Sequence, residues 1–397
     1  MEKYFRVPLI FLFIGSLLGV ALRFQLYSAL PGINYTNLLH GHSHIMFLGW
    51  IFNAVYLSFV RNFVPQNNHP FYKKLFIALQ IVNAGMLISF PMQGYGPISI
   101  ALSTAHTLMT FLFSVAFFKH TRGSHSESLR LAKFAIFFLI LSAVGPFSLA
   151  YISSQGMQQT PWYNYSVYFY LHFQYNGFFF LSIASLLVNV LEPNAEVKTI
   201  FRRILNWFII ATIPTYFLSV LFSNPGIVFN IIGIAGAMLQ VIGFAVMLYW
   251  VFRNHKIVAS RFPGTAPFLL VILFALGVKT ILQLISGFPQ YAALAYELRP
   301  IVISYLHLVL IGVVSLFLLI WYEKQGFFRL SFNIITISFL LFFLVMEIVL
   351  IDLPWCSEIG VNLEAPHLLL FVSALMSLAC GAFVISFTPK QRQPALS

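Results

Sequence analysis

The chain has 397 residues, 60% of them apolar and only 8% charged, with a mean hydropathy of +0.88. That profile excludes a soluble globular domain, because the apolar residues come in blocks long enough to cross a hydrocarbon core of about 30 Å. The net charge of +12 would suit a nucleic-acid binder if it were clustered on one surface, but it is dealt out by loop, so no nucleic-acid partner is expected.

In chain order, twelve spans are expected at about 7–26, 38–60, 74–92, 98–118, 129–152, 165–190, 203–222, 226–251, 265–287, 300–322, 329–351 and 365–387. They read as helices because backbone polar groups in lipid must be satisfied within their own segment, and no stretch alternates like a barrel strand. The fold class is therefore all-α, a polytopic membrane protein built as a single twelve-helix transmembrane domain over 1–397. The first span is too long for a cleaved signal peptide, and no small-residue cleavage site follows it. The loops are short and leave no room for a soluble domain. Of the 22 Lys and Arg residues, 19 fall on one side of the membrane; Arg23 and Arg299 lie on the other, and Lys279 is inside the ninth span. This asymmetry places both termini in the cytoplasm and suits a bacterial inner membrane. Cys356 and Cys380 share no metal or redox spacing and read as packing residues. No repeat aligns the two halves of the chain.

The histidines are not scattered. His40, His42 and His44 lie in the second span, His106 in the fourth, His172 in the sixth, His307 in the tenth and His367 in the twelfth. All are in even spans, which run inward, and all lie near the outer end; at 1.5 Å per residue this confines them to one layer of the outer half-membrane. Single buried histidines commonly bridge helices by hydrogen bonds. Five helices offering imidazole at one depth point instead to a functional layer, since ionisable groups in lipid are costly. Imidazole is a usual ligand of haem iron and copper, whereas the thiolates and carboxylates of structural zinc or calcium sites are absent from this layer. In HGHSH, His40 and His44 share a helical face, while His42 points away by about 160°. His69, His120, His125 and His255 fall in loops.

Two other intramembrane groups are ambiguous. Lys279, with Thr280 and Gln283 near, can snorkel, pair with a carboxylate or line a proton path. Glu347 and Asp352 read as an interfacial pair.

Taken together, the second, sixth and tenth spans resemble the central subunit of the haem–copper oxidase superfamily, particularly its nitric-oxide-reductase and cbb3-type branch. His42, followed by Ile45-Met46-Phe47 and Asn53, resembles the second-helix pattern; TPWYNYSVYFYLHFQYNGFFFL (160–181) resembles the sixth, and SYLHLVLIGVVSL (304–316) the tenth. The resemblance implies a low-spin b-type haem held by His42 and His307, copper near His172, and Arg299 pairing a haem propionate. It further implies O₂ or NO as substrate and electrons from a donor subunit or quinol. The seventh span lacks the family's histidine pair, and Tyr305 stands where the family has a second histidine, so the binuclear centre would need His106 or His367 as substitutes. A second resemblance is to the NnrS family of haem- and copper-containing membrane proteins linked to nitric oxide stress. Its W-H-A-H-E-M-L-F-G-F stretch is similar to HGHSHIMFLGW, with His42 and His44 matching the two histidines, and its later histidine-glycine helix is similar to His307 with Gly312. A proton-relaying transporter or channel is a third reading, weakened because the layer is off the midplane.

Overall fold

The computed structural model describes residues 1–26, 28–191, 195–356 and 364–389, with backbone alone at 195–198, 352–356 and 364–366. It is all-helical, with twelve helices long and apolar enough to span a membrane: α1 (Glu2–Phe24), α2 (Tyr35–Phe63), α3 (Gln66–Gln93), α4 (Pro97–His120), α5 (Glu127–Ser154), α6 (Pro161–Leu191), α7 (Thr199–Ser223), α8 (Ile227–Arg253), α9 (Ala266–Ile285), α10 (Arg299–Lys324), α11 (Phe332–Ile351) and α12 (His367–Ser386). Most ends fall within a few residues of expectation. The start of α3 is earlier, because Pro70 in its first turn and a tight 3₁₀ turn at Gln66–Asn68 extend the helix through a polar stretch. Two short helices, His255–Arg261 and Pro289–Glu297, were not anticipated. Of the two cysteines, Cys380 is buried in α12 and packs as expected, while the Cys356 side chain lies outside the described residues.

The chain divides into two compact units. Met1–Arg122 with Leu318–Ser397 forms the first, in which α1 packs on α2 and α12, α3 lies between α2 and α4, and α11 pairs with α12. Gly123–Phe317 forms the second, where α5 to α10 pack in chain order and the middle of α6 also touches α10. Local chemistry sets the helix starts. The Asn34 side chain accepts from the Thr36 and Asn37 amides (2.8 and 3.3 Å), which fixes where α2 begins and hence the depth of its histidines. Ser126 does the same for α5 through the Leu129 amide at 3.0 Å.

Three helices differ from the rest. Buried residues make up 83% of the spanning window of α2, 78% of α6 and 61% of α10, against 33–56% in the other nine. In each of the three, the first half is half-buried and the second half almost completely buried. Each also contains a π-helical stretch, Ile45–Phe52, Phe173–Phe179 and Leu308–Ser315. Such wide turns are rare and recur at functional sites.

Candidate functional site

Each π stretch starts directly after a histidine: His44, His172 and His307. Five residues beyond each histidine is a glycine, Gly49, Gly177 and Gly312, so HIMFLG, HFQYNG and HLVLIG are one pattern written three times. Two of these glycines, Gly49 and Gly177, are packing devices. A Cβ on Gly49 would meet Phe11 of α1 at 2.8 Å, and one on Gly177 would meet Phe138 of α5 at 2.6 Å. In both cases the preceding helix lays a phenylalanine on the π turn. The chain thus carries a threefold, four-helix periodicity rather than a relation between halves.

In HGHSH every side chain has a structural assignment. Gly41 lets Pro91 of α3 come close, where a Cβ would be 2.8 Å from the ring. His40 and His44 share a face, as the helical wheel requires: both rings lie edge-on to Tyr95, and His44 stacks on Phe90 at 4.0 Å. His44 Nδ1–H donates to the His40 carbonyl at 2.9 Å. His42 turns to α1 instead, and its Nδ1–H donates to the Gly15 carbonyl at 2.8 Å. The seat is made by Gly15 and Gly19, a G-x-x-x-G pair. A Cβ on Gly15 would run into Met46, and one on Gly19 would sit 3.4 Å from His42 Cε1. Because a carbonyl can only accept, neutral His42 and neutral His44 both carry their lone pair on Nε2. A ligating histidine is oriented by this kind of bond at its other nitrogen.

The other histidines serve differently. His172 donates from Nε2 to the Thr212 carbonyl (2.7 Å) and accepts at Nδ1 from Asn176 (3.2 Å), so both nitrogens are engaged. Thr212 has a carbonyl to offer because Pro214 breaks the α-helical ladder of α7 and a 3₁₀ run, Pro214–Ser223, follows it. Copper at His172 would have to displace one of these partners, so the residues present do not fit that metal there. Among the described residues no cluster of three or more His, Cys, Asp or Glu could hold a metal ion. His106 is buried against Phe52, and its Nε2 has no hydrogen-bond partner. Leucine at 106 has a comparable volume and no such nitrogen, so His106→Leu is expected to leave thermal unfolding unchanged or to stabilise by about 1–2 kcal/mol; a loss of stability would show that the contact of Nδ1 with the Thr110 hydroxyl at 3.4 Å outweighs that gain. His307 is half-buried, and Tyr305 shares a hydrogen bond with Tyr175 of α6. His367 and Arg299 are exposed.

Lys279 neither snorkels nor pairs with a carboxylate among the described residues. It is 5% exposed, and its ammonium donates to the Gln240 side-chain oxygen at 2.9 Å. Gln240 in turn donates to the Thr215 hydroxyl at 3.4 Å. Glu347 is buried near the end of α11, within electrostatic reach of buried Arg23, and the Asp352 side chain lies outside the described residues.

Twelve helices among the described residues are long and apolar enough to span a membrane, which defines an integral membrane protein. No family model and no curated protein matches the chain. Two features were readable from the sequence and not anticipated: the G-x-x-x-G of α1 and the threefold H-x-x-x-x-G.

Proposed function

We propose that the protein is a haem-binding membrane redox protein in which His42 is an axial ligand of a b-type haem. The observation that carries this reading is the bond from His42 Nδ1–H to the Gly15 carbonyl, which orients the ring in the way a ligating imidazole is held at its other nitrogen. The sequence resemblance to haem–copper oxidases supplies His307 as the second axial ligand and Arg299 as a propionate partner. A haem supplies one-electron chemistry and a site for a diatomic gas such as O₂ or NO. The chain supplies the apolar surroundings, the glycine seat and the oriented imidazole. Electrons would come from a partner subunit or a quinol. The charge asymmetry of the loops supports cytoplasmic termini and a bacterial inner membrane.

A second reading, an NnrS-like haem and copper protein that responds to nitric oxide without robust turnover, is favoured by one observation. The H-x-x-x-x-G register puts His44, not His42, in line with His172 and His307, and the stretch similar to that family ends on the same histidine and glycine.

The test is a visible spectrum of the purified protein, oxidised and dithionite-reduced, with iron and copper analysis. A reduced α-band of b type is expected, lost in His42→Ala and His307→Ala and kept in His172→Ala. Loss in His44→Ala with retention in His42→Ala would move the ligand by two residues. A protein that carries no haem when haem is supplied during expression would sink both readings. Copper in stoichiometric amount without O₂ or NO turnover would select the second.

A further inference from the structure

The second unit contains a cavity of about 280 Å³ at the end of the spans where α7 begins and α8 ends. Its walls come from α6, α7, α8, α9 and α10 and from the short helix His255–Arg261, with Leu187, Phe201, Trp250, Val258 and Leu273 among them. Among the described residues, His255 is the one lining residue with an ionisable side chain, and its Nδ1–H is taken by the Phe252 carbonyl at 3.0 Å. Such a slot accepts hydrocarbon and offers almost nothing to a polar ring, so the head of a quinone, with two carbonyls to satisfy, is a poor occupant.

The rim has the opposite character. Arg202 and Arg203 lie between the lining residues Phe201 and Leu205. Arg253 and Lys256 lie among the lining residues Val251, His255 and Val258, and both are exposed. The segments 199–207 and 247–267 contain no Asp or Glu, while the Glu192 and Glu196 side chains, between the lining residues Leu191 and Phe201, lie outside the described residues. Among the described residues, Glu127 pairs with Arg130 and makes a longer ion pair with Arg202 at 3.9 Å. An apolar slot with a cationic mouth at the end of a helix bundle matches one amphiphile: a hydrocarbon chain below and a phosphate above.

We propose that this cavity is a binding site for an anionic phospholipid, with one acyl chain in the slot and the phosphate held by Arg253 and Lys256. Arg202 and Arg203 extend the cationic field, and His255 lies at the boundary between chain and headgroup. Selectivity arises at the rim, because the slot itself cannot distinguish one acyl chain from another.

The proposal is tested by native mass spectrometry of the full chain released from nanodiscs holding equal parts of phosphatidylglycerol and phosphatidylcholine with identical chains. One phosphatidylglycerol is expected to stay bound at collision energies that strip phosphatidylcholine. Arg253→Gln and Lys256→Gln, both exposed and harmless to folding, are each expected to lower that preference about fivefold, and together more. Ala184→Phe, which fills the slot, is expected to remove the retained lipid, with circular dichroism confirming the helical fold. Equal retention of the two lipids by the wild type, or a preference unchanged by both rim variants, would overturn the assignment. Retention of an isoprenoid quinone in place of phospholipid, when both are present, would overturn it as well.

Discussion

Gln240→Leu is expected to cost about 1–3 kcal/mol of stability, and to cost almost nothing once Lys279 has been changed to Met. The ammonium of Lys279 is buried in α9, and the neutral amide oxygen of Gln240 accepts from it. Removing that acceptor leaves a buried amine without its partner, whereas removing the amine removes the need for the acceptor. Lys279→Met alone is expected to be close to neutral, since the loss of a costly buried amine offsets the unpaired oxygen left on buried Gln240. The double variant is expected to match or exceed the wild type. Thermal unfolding of the four proteins in one detergent, read as a double-mutant cycle, measures the coupling. Equal costs of Gln240→Leu in both backgrounds would show that Lys279 draws its stabilisation from elsewhere.

This pair also shows where the sequence stops informing. Lys279 in ALGVKTILQLISG is visibly intramembrane, but snorkelling, pairing and relaying all begin from the same letters. The outcome depends on α8 presenting Gln240, 39 residues earlier, and no local rule links the two. Twelve spans were legible because lipid imposes length and apolarity on each segment independently. The place of each histidine in the first half of its own helix was legible for the same reason, since it follows from the span ends. Direction around the helix was legible only in part. The wheel separates His42 from His40 and His44, and the structure places them on α1 and α3 accordingly. It could not foresee that His172 satisfies a carbonyl released by Pro214 on the neighbouring helix. Nor could it show π-helical turns, which arise where packing forces an extra residue into a turn. Their glycines were in plain view, but their shared offset from histidine acquires meaning only when the three helices prove to be the most buried.

That offset leads to the second large effect. Gly49→Ala and Gly177→Ala are each expected to destabilise by about 2–3 kcal/mol, because the new methyl overlaps a phenylalanine on the preceding helix. The two sites should differ in their rescue. At Gly49 the clash is with Phe11 Cγ at 2.8 Å and Cδ1 at 2.9 Å, while Cβ stands off at 3.1 Å. Truncation by Phe11→Ala removes the closest atoms, so the double variant should be more stable than the sum of the single losses predicts. At Gly177 the nearest atom is Phe138 Cβ, at 2.6 Å. Alanine at 138 retains that atom, so Phe138→Ala should add its own cavity cost and relieve little. Unfolding midpoints of the two cycles decide the matter: coupling of about 1–2 kcal/mol in the first and close to none in the second. The Gly49 result bears on the site as well as on stability, because the α1 face that carries Phe11 also carries Gly15 and Gly19, the seat of His42. If α1 is displaced by the methyl at 49, the His42 bond to the Gly15 carbonyl lengthens, and any chromophore held by His42 should shift or bleach in Gly49→Ala and recover with Phe11→Ala. A spectrum that ignores both substitutions would separate the packing of α1 from the orientation of His42.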